Sequence, residues 1–201
     1  SVVAVADFDG DGTDDLLLED DTTGWLSYAS YNAGSTAFSD IGMFAGRDVL
    51  AIADFDGDGQ ADFLLGDQTT GWLTTQEANG SGKTIGFIAG RTLIGIGDFD
   101  GDGNDDLLLR DEVTDYLTYK SGGDGVSAGL DFIPADQAVV NVEDYSGDGI
   151  DDILLFNTIS NQASVAIGGV VTSAVAFGDY EGQVFLEADT GLDYQRDVFL
   201  L

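Results

Sequence analysis

The sequence has no cysteine and no histidine, a single proline and only six basic residues. Without Cys there are no disulfides and no thiolate chemistry, and without Cys or His the usual zinc ligand sets are missing. The absence of His, together with the lack of a nucleophile-elbow serine, leaves enzyme classes poorly supplied, and the chain is expected not to be an enzyme. Six Lys and Arg stand against 38 Asp and Glu, for a formal net charge of −32. A surface of that sign repels nucleic acid and anionic membranes. No run approaches the roughly 18 apolar residues of a membrane-spanning helix. No signal-peptide pattern precedes the strand-like Ser1-Val2-Val3, so a mature or excised piece is expected.

What is present is apolar residues at 43%, enough for a core in 201 residues, and 29 glycines to make turns in place of proline. The acids are strongly biased to Asp, which favours turns and ligates hard cations. One motif accounts for much of the bias. It occurs as Asp7-Phe-Asp-Gly-Asp-Gly-Thr-Asp-Asp-Leu-Leu-Leu18 and recurs from Asp54, from Asp98 and, as Asp-Tyr-Ser-Gly-Asp-Gly-Ile-Asp-Asp-Ile-Leu-Leu, from Asp144. The spacings are 47, 44 and 46 residues. A degenerate fifth copy begins at Ala174, with its loop reduced to Tyr180-Glu181-Gly182.

Ahead of each loop large apolar residues recur at every second position, as in Val140 and Val142, and in most copies they alternate with small ones: Val3 and Val5 with Ala4 and Ala6, Leu50 and Ile52 with Ala51 and Ala53, Ile94 and Ile96 with Gly95 and Gly97. Period 2 predicts a strand, and the small residues predict a closely packed face. Behind each loop, unbroken runs (Leu16–Leu18, Phe63–Leu65, Leu107–Leu109, Ile153–Leu155) predict strands buried on both faces. A third strand is predicted from Trp25, Trp72, Tyr116 and Gln162, and a fourth near 84–89, 129–133 and before Phe44. Four strands in 44–47 residues is the size of a propeller blade. The expectation is one all-β repeat domain over 1–201. It is a β-propeller of about four to five four-stranded blades starting near 1, 48, 92, 138 and 173, the last degenerate or incomplete. The fourth repeat is short, with its outer strand missing or merged.

Counted from the first Asp, oxygen-bearing side chains stand at positions 1, 3, 5 and 9. These are Asp7, Asp9, Asp11 and Asp15; Asp54, Asp56, Asp58 and Asp62; Asp98, Asp100, Asp102 and Asp106; and Asp144, Ser146, Asp148 and Asp152. Gly is always at 4 and 6. This matches the first half of an EF-hand loop, in which position 7 contributes a backbone carbonyl. Thr13, Gln60, Asn104 and Ile150 occupy that position, and their variety fits a backbone role. Position 12, where an EF-hand has its Glu, is Leu18, Leu65, Leu109 or Leu155. The position 9 Asp therefore closes the site. An all-oxygen set on a flexible loop selects Ca²⁺, about four ions in total. Asp-Gly runs also make plain hairpin turns, but four crowded carboxylates repel one another without a cation. Folding should then depend on the ion.

The motif Asp-Phe-Asp-Gly-Asp-Gly-x-x-Asp-Leu-Leu-Leu, followed by Thr-Thr-Gly-Trp, resembles the FG-GAP/VCBS repeat family, whose blades build integrin α-chain propellers, several lectins and accessory domains of polysaccharide-active enzymes. The resemblance implies four-stranded antiparallel blades with one calcium in the loop joining the first two strands, carried here by the loop residues named above. It also implies an extracellular or cell-surface module for adhesion or recognition of carbohydrate or protein.

Trp25, Trp72 and Tyr116 share one repeat position and form a possible ligand surface for sugar stacking, although packing between blades is the favoured role. Arg47 and Arg91 are equivalent and are expected to pair with carboxylates. Asn79-Gly-Ser81 matches a glycosylation sequon. Glu19, Glu77, Glu112 and Glu187 are the remaining carboxylates for hydrolytic chemistry, by default only. Expected partners are a carbohydrate or protein ligand, or copies of the chain itself. In that last case the chain is a surface-layer or filament subunit completed by strand exchange. An accessory domain of a polysaccharide-active enzyme is a further alternative. Nucleic acid and membrane insertion are not expected.

Overall fold

The computed structural model describes residues 1–32, 34–122, 125–169, 175–179 and 199–200, which form seventeen β-strands and a single 3-10 turn at Ile167–Gly169. None of its helices is long and apolar enough to cross a membrane. The strands build four antiparallel, blade-like sheets in chain order. The first contains β1 (Val2–Ala6), β2 (Asp15–Glu19), β3 (Leu26–Asn32) and β4 (Ser35–Gly42). The second contains β5 (Arg47–Ala53), β6 (Asp62–Asp67), β7 (Trp72–Glu77) and β8 (Gly82–Phe87). The third has β9 (Arg91–Gly97), β10 (Asp106–Asp111), β11 (Tyr116–Lys120) and β12 (Ser127–Phe132). The fourth has β13 (Gln137–Glu143), β14 (Asp152–Asn157), β15 (Gln162–Ala166) and β16 (Val175–Asp179). A short β17 (Phe199–Leu200) adds to the free edge of β5, with Phe199 opposite Ile52.

The all-β, blade-like architecture is the one expected from the repeat. One strand has a different role. Val175–Asp179, read above as the opening of a fifth repeat, is the outer strand of the fourth sheet, with Gln162 opposite Asp179 and Val165 opposite Val175. It fills the slot that the short fourth repeat leaves vacant. The loop of the degenerate copy, Tyr180–Gly182, lies outside the described residues, as does Glu187.

The first hairpin repeats with one register. Ala6, Ala53, Gly97 and Glu143 sit opposite Asp15, Asp62, Asp106 and Asp152. In each first strand the pairing skips one residue: Val3, Leu50, Ile94 or Val140. This recurrent bulge interrupts the simple alternation and sharpens the local twist.

The chain divides into two compact units, one spanning Ser1–Phe87 together with the C-terminal strand, the other Ile88–Gly191. Each holds two consecutive sheets. In the first, Phe8 stacks on Tyr28 and Phe63 at 5.8 and 5.5 Å within a core that includes Leu17, Leu26, Ile52 and Leu65. In the second, Phe99 stacks on Tyr119 at 6.1 Å beside Leu108, Leu117, Ile153 and Leu155. The Phe of each Asp-Phe-Asp is thus a core residue, and burying one contributes about 1.5–3 kcal/mol.

The fourth sheet departs from this plan. Where the other first strands carry Ala or Gly followed by a buried Phe, it carries Asn141, Glu143 and Tyr145, all exposed. Asn141 Nδ2 donates to Tyr145 Oη at 3.0 Å.

Candidate metal centres

Each Asp-rich loop is organised by its first residue. One oxygen of Asp7 accepts from Gly10 N at 2.7 Å, the other from Gly12 N at 2.8 Å. Asp54, Asp98 and Asp144 hold their loops the same way, at 2.6–2.9 Å. Both glycines of every loop have φ between +74° and +87°, a region that side chains disfavour, which explains why positions 4 and 6 never vary. Position 5 then accepts from the N–H of position 7 at 2.8–3.0 Å in all four loops. These donors draw the carboxyl of Asp144 below its ordinary range, the N–H of Gly149 contributing most.

Position 9 lies at the start of the second strand, and its carboxylate is buried in every loop. In the first three, one oxygen accepts from the N–H of position 2: Phe8 to Asp15 at 3.0 Å, Phe55 to Asp62 at 3.2 Å, Phe99 to Asp106 at 3.0 Å. The other oxygen, Oδ1, is buried without a hydrogen-bond donor in Asp15 and in Asp62. In Asp106 and Asp152 it accepts from Gly122 N at 3.1 Å and Gly168 N at 2.7 Å. Burial pushes the carboxyl of Asp15 up to about 6, Asp62 to about 8 and Asp106 to about 7, with neighbouring loop aspartates adding to the rise.

A buried carboxylate oxygen with no donor costs about 1–3 kcal/mol or more when charged. A cation beside it would offset that cost. In the first three loops three carboxylates converge: Asp7, Asp9 and Asp15; Asp54, Asp56 and Asp58; Asp98, Asp100 and Asp106. In each set one oxygen per residue lies within 4.8 Å of the others. The donor set is all oxygen, and these three groups could hold a metal ion.

The remaining predicted ligands fall differently. Asp11, Asp62 and Asp102 stand outside their trios. Asp11 is engaged by the Thr13 hydroxyl and by Asn32 Nδ2 at 3.0 Å, and Asp58 by Gln60 Nε2 at 2.9 Å. Position 7 side chains, expected to be indifferent, therefore brace position 5 in two loops. Nothing in the sequence points to Asn32, 21 residues from Asp11. The fourth loop brings no carboxylate trio together among the described residues, because Ser146 supplies a hydroxyl. There Ser146 N, rather than the N–H of position 2, donates to Asp152 Oδ2 at 2.8 Å.

The repeated aromatics lie on the surface. Trp25, Trp72 and Tyr116 are 46%, 50% and 41% exposed, so they do not wedge sheets apart. Trp72 faces Phe87 across β7–β8, and Tyr116 faces Phe132 across β11–β12, both partners also exposed. Arg47 and Arg91 stand opposite Asp67 and Asp111 across their hairpins but close no direct ion pair among the described residues; Arg110 pairs with Asp115, at 2.7 Å. That bridge spans one tight turn, whereas Arg47 lines a cleft of about 370 Å³ in the first unit with Val3, Leu17, Leu26 and Phe44. Asn79 is engaged with the Glu77 carboxylate and with Ser81 N. Thr92 donates to Glu112 at 3.4 Å.

Residues 54–109, which contain the second and third loops, match the family model described as FG-GAP-like repeat. Comparison with curated proteins gives no match.

Proposed function

Taking the FG-GAP-like repeat in a blade-like all-β chain as the premise, we propose that this protein is an extracellular recognition module whose sheets are stabilised by structural calcium. The observation that carries the reading is the donorless, buried Oδ1 of Asp15 and Asp62, each in a loop that gathers three carboxylates. Asp7, Asp9 and Asp15 in the first loop, Asp54, Asp56 and Asp58 in the second, and Asp98, Asp100 and Asp106 in the third would hold the ions; Ser146 makes the fourth loop the weakest. Calcium supplies charge neutralisation and ligand bonds there, and no redox or acid–base chemistry. Oxygen-only ligands on a Gly-rich loop favour Ca²⁺ over Mg²⁺, which keeps more of its water. Sites of this kind fill at extracellular calcium concentrations, which supports an extracellular location. Four divalent ions would cancel a quarter of the formal charge of −32.

Recognition rests on the exposed pairs Trp72–Phe87 and Tyr116–Phe132, which offer flat apolar faces suited to sugar rings or to a protein loop. Binding rather than catalysis is supported by a sequence without His or Cys. Calorimetric titration with Ca²⁺ and Mg²⁺, followed by glycan-array retention with and without chelator, tests both halves. Calcium should bind and raise the melting temperature, and retention should require it. A titration with no heat and no thermal shift removes the calcium half.

A second reading draws on a different observation. The free edge of β5 takes an extra antiparallel strand from far along the chain. Such an edge is suited to strand exchange between copies. Light scattering that grows with concentration in calcium, without glycan retention, would favour assembly.

A further inference from the structure

Position 8 of the motif is Asp14, Ala61, Asp105 or Asp151. It precedes the buried ligand of position 9, and nothing in the loop chemistry requires it. In the second unit it does something separate. Asp151 N donates to the carbonyl of Asp98 at 2.7 Å, and Asp151 Oδ2 accepts from Asp98 N at 2.7 Å. Both backbone groups of Asp98 are therefore held by one residue of the next sheet. Both residues are buried, so these bonds do not compete with water. Asp98 is position 1 of the third loop, and its carboxylate organises that loop through Gly101 N and Gly103 N.

The first unit provides an internal comparison. Ala61 N donates to the carbonyl of Asp7 at 2.6 Å, so the backbone half of the contact recurs, while Ala61 has no carboxylate for the other half. The residue before each first Asp fits this difference. At Gly97 a Cβ would lie 2.5 Å from Asp151 Oδ2, whereas the first loop is preceded by Ala6.

We propose that Asp151 is a latch between sheets, a positioning residue that holds Asp98 and so couples the third loop to the fourth. The proposal rests on the calcium reading above. With the latch closed, Asp98 is already placed before the ion arrives; with it open, binding must also order the loop. Calcium affinity of the third loop therefore depends on a residue of the fourth. A coupling of one buried hydrogen bond corresponds to a weakening of up to about tenfold.

The test is calcium titration calorimetry on the full chain, with melting in chelator measured alongside. The variants are Asp151→Ala, which removes the acceptor, Asp151→Asn, which keeps an acceptor and loses the charge, and each of these with Asp100→Ala to disable the third loop. Asp151→Ala should weaken one calcium step several-fold, Asp151→Asn should restore most of it, and the difference should vanish in the Asp100→Ala background. Equal weakening by Ala and Asn would mean that the charge acts, and would overturn the latch. So would unchanged affinity in Asp151→Ala with a lowered melting temperature in chelator, which is the signature of a merely structural contact. Wild-type protein that binds no calcium removes the underlying reading and the coupling with it, a result distinct from either of the others.

Discussion

Gly97→Ala isolates the fit between the third and fourth sheets. Gly97 is not among the glycines with positive φ, so the backbone itself accepts alanine. The added Cβ would meet Asp151 Oδ2 at 2.5 Å, Val142 Cγ1 at 2.7 Å and Asp151 Cβ at 3.1 Å. Overpacking of this kind costs about 1–3 kcal/mol. If Asp151 swings away to relieve it, the buried N–H of Asp98 loses its acceptor, for another ~1–3 kcal/mol. The stiffer unfolded chain returns about 0.4–1 kcal/mol. The net loss is about 1–5 kcal/mol, a fall in melting temperature on the order of 5–25 °C for a unit of about 100 residues. The assay is thermal unfolding by circular dichroism in chelator, for Gly97→Ala, Asp151→Ala and the double variant. If the cost runs through Asp151, the double variant falls short of the sum of the singles by about 1 kcal/mol or more. Melting of Gly97→Ala within about 2 °C of wild type, roughly the shift expected of a neutral surface change, would refute the packing argument. Strict additivity would refute the role given to Asp151.

Asp62→Asn removes a buried charge that costs stability until a cation reaches it, so in chelator at about pH 8 this variant should melt above wild type, while losing the calcium response of the second loop; a lowered chelator melt would contradict the burial argument. The pH dependence has a definite sign. Asp62 has a folded value of about 8 against an ordinary 3.8, so its contribution is complete below about pH 4 and is lost as pH rises through 8. Chelated protein should melt higher at about pH 5 than at about pH 8.5, and calcium should shrink that gap. At a free calcium concentration of about 100 times Kd, stability should rise by about 2.7 kcal/mol per site, read as a shift in urea midpoint. Trp72→Ala and Tyr116→Ala, both at exposed positions, should change stability by no more than about 0.5–1 kcal/mol while abolishing glycan retention; retained binding would move the ligand surface elsewhere.

The repeat makes the sheets legible from the sequence alone, because a 44–47 residue period with Asp-Gly turns leaves little choice of unit. The loops are legible too, down to positions 1, 3, 5 and 9, since φ-positive glycines and alternating carboxylates leave a local trace. What escapes is non-local. Val175–Asp179 has the alternation of a first strand, but alternation does not say which neighbour a strand joins, and it pairs as a fourth. The skipped residues Val3, Leu50, Ile94 and Val140 belong to the same apolar alternation as Val5, Ile52, Ile96 and Val142, so the bulge is invisible in the pattern. Asp151 reads as one more loop acid until Asp98 is found against it. The arginines mislead for a related reason: Arg110 meets Asp115 because both flank one turn, where Asp115 takes φ +59° at a position that is Gly in the first two repeats.

The outward face of β13, with Asn141, Glu143 and Tyr145 exposed, is a poor seat for another sheet. An apolar sheet laid over it would strip water from Glu143 without offering a counter-charge, a penalty of several kcal/mol that no gain from Asn141 or Tyr145 offsets. Repeats that stack by presenting alanine and glycine to the next member need such a surface somewhere, or growth continues by simple addition. On the fourth sheet, Asn141, Glu143 and Tyr145 supply that polar surface, where the other sheets carry small residues and a buried Phe.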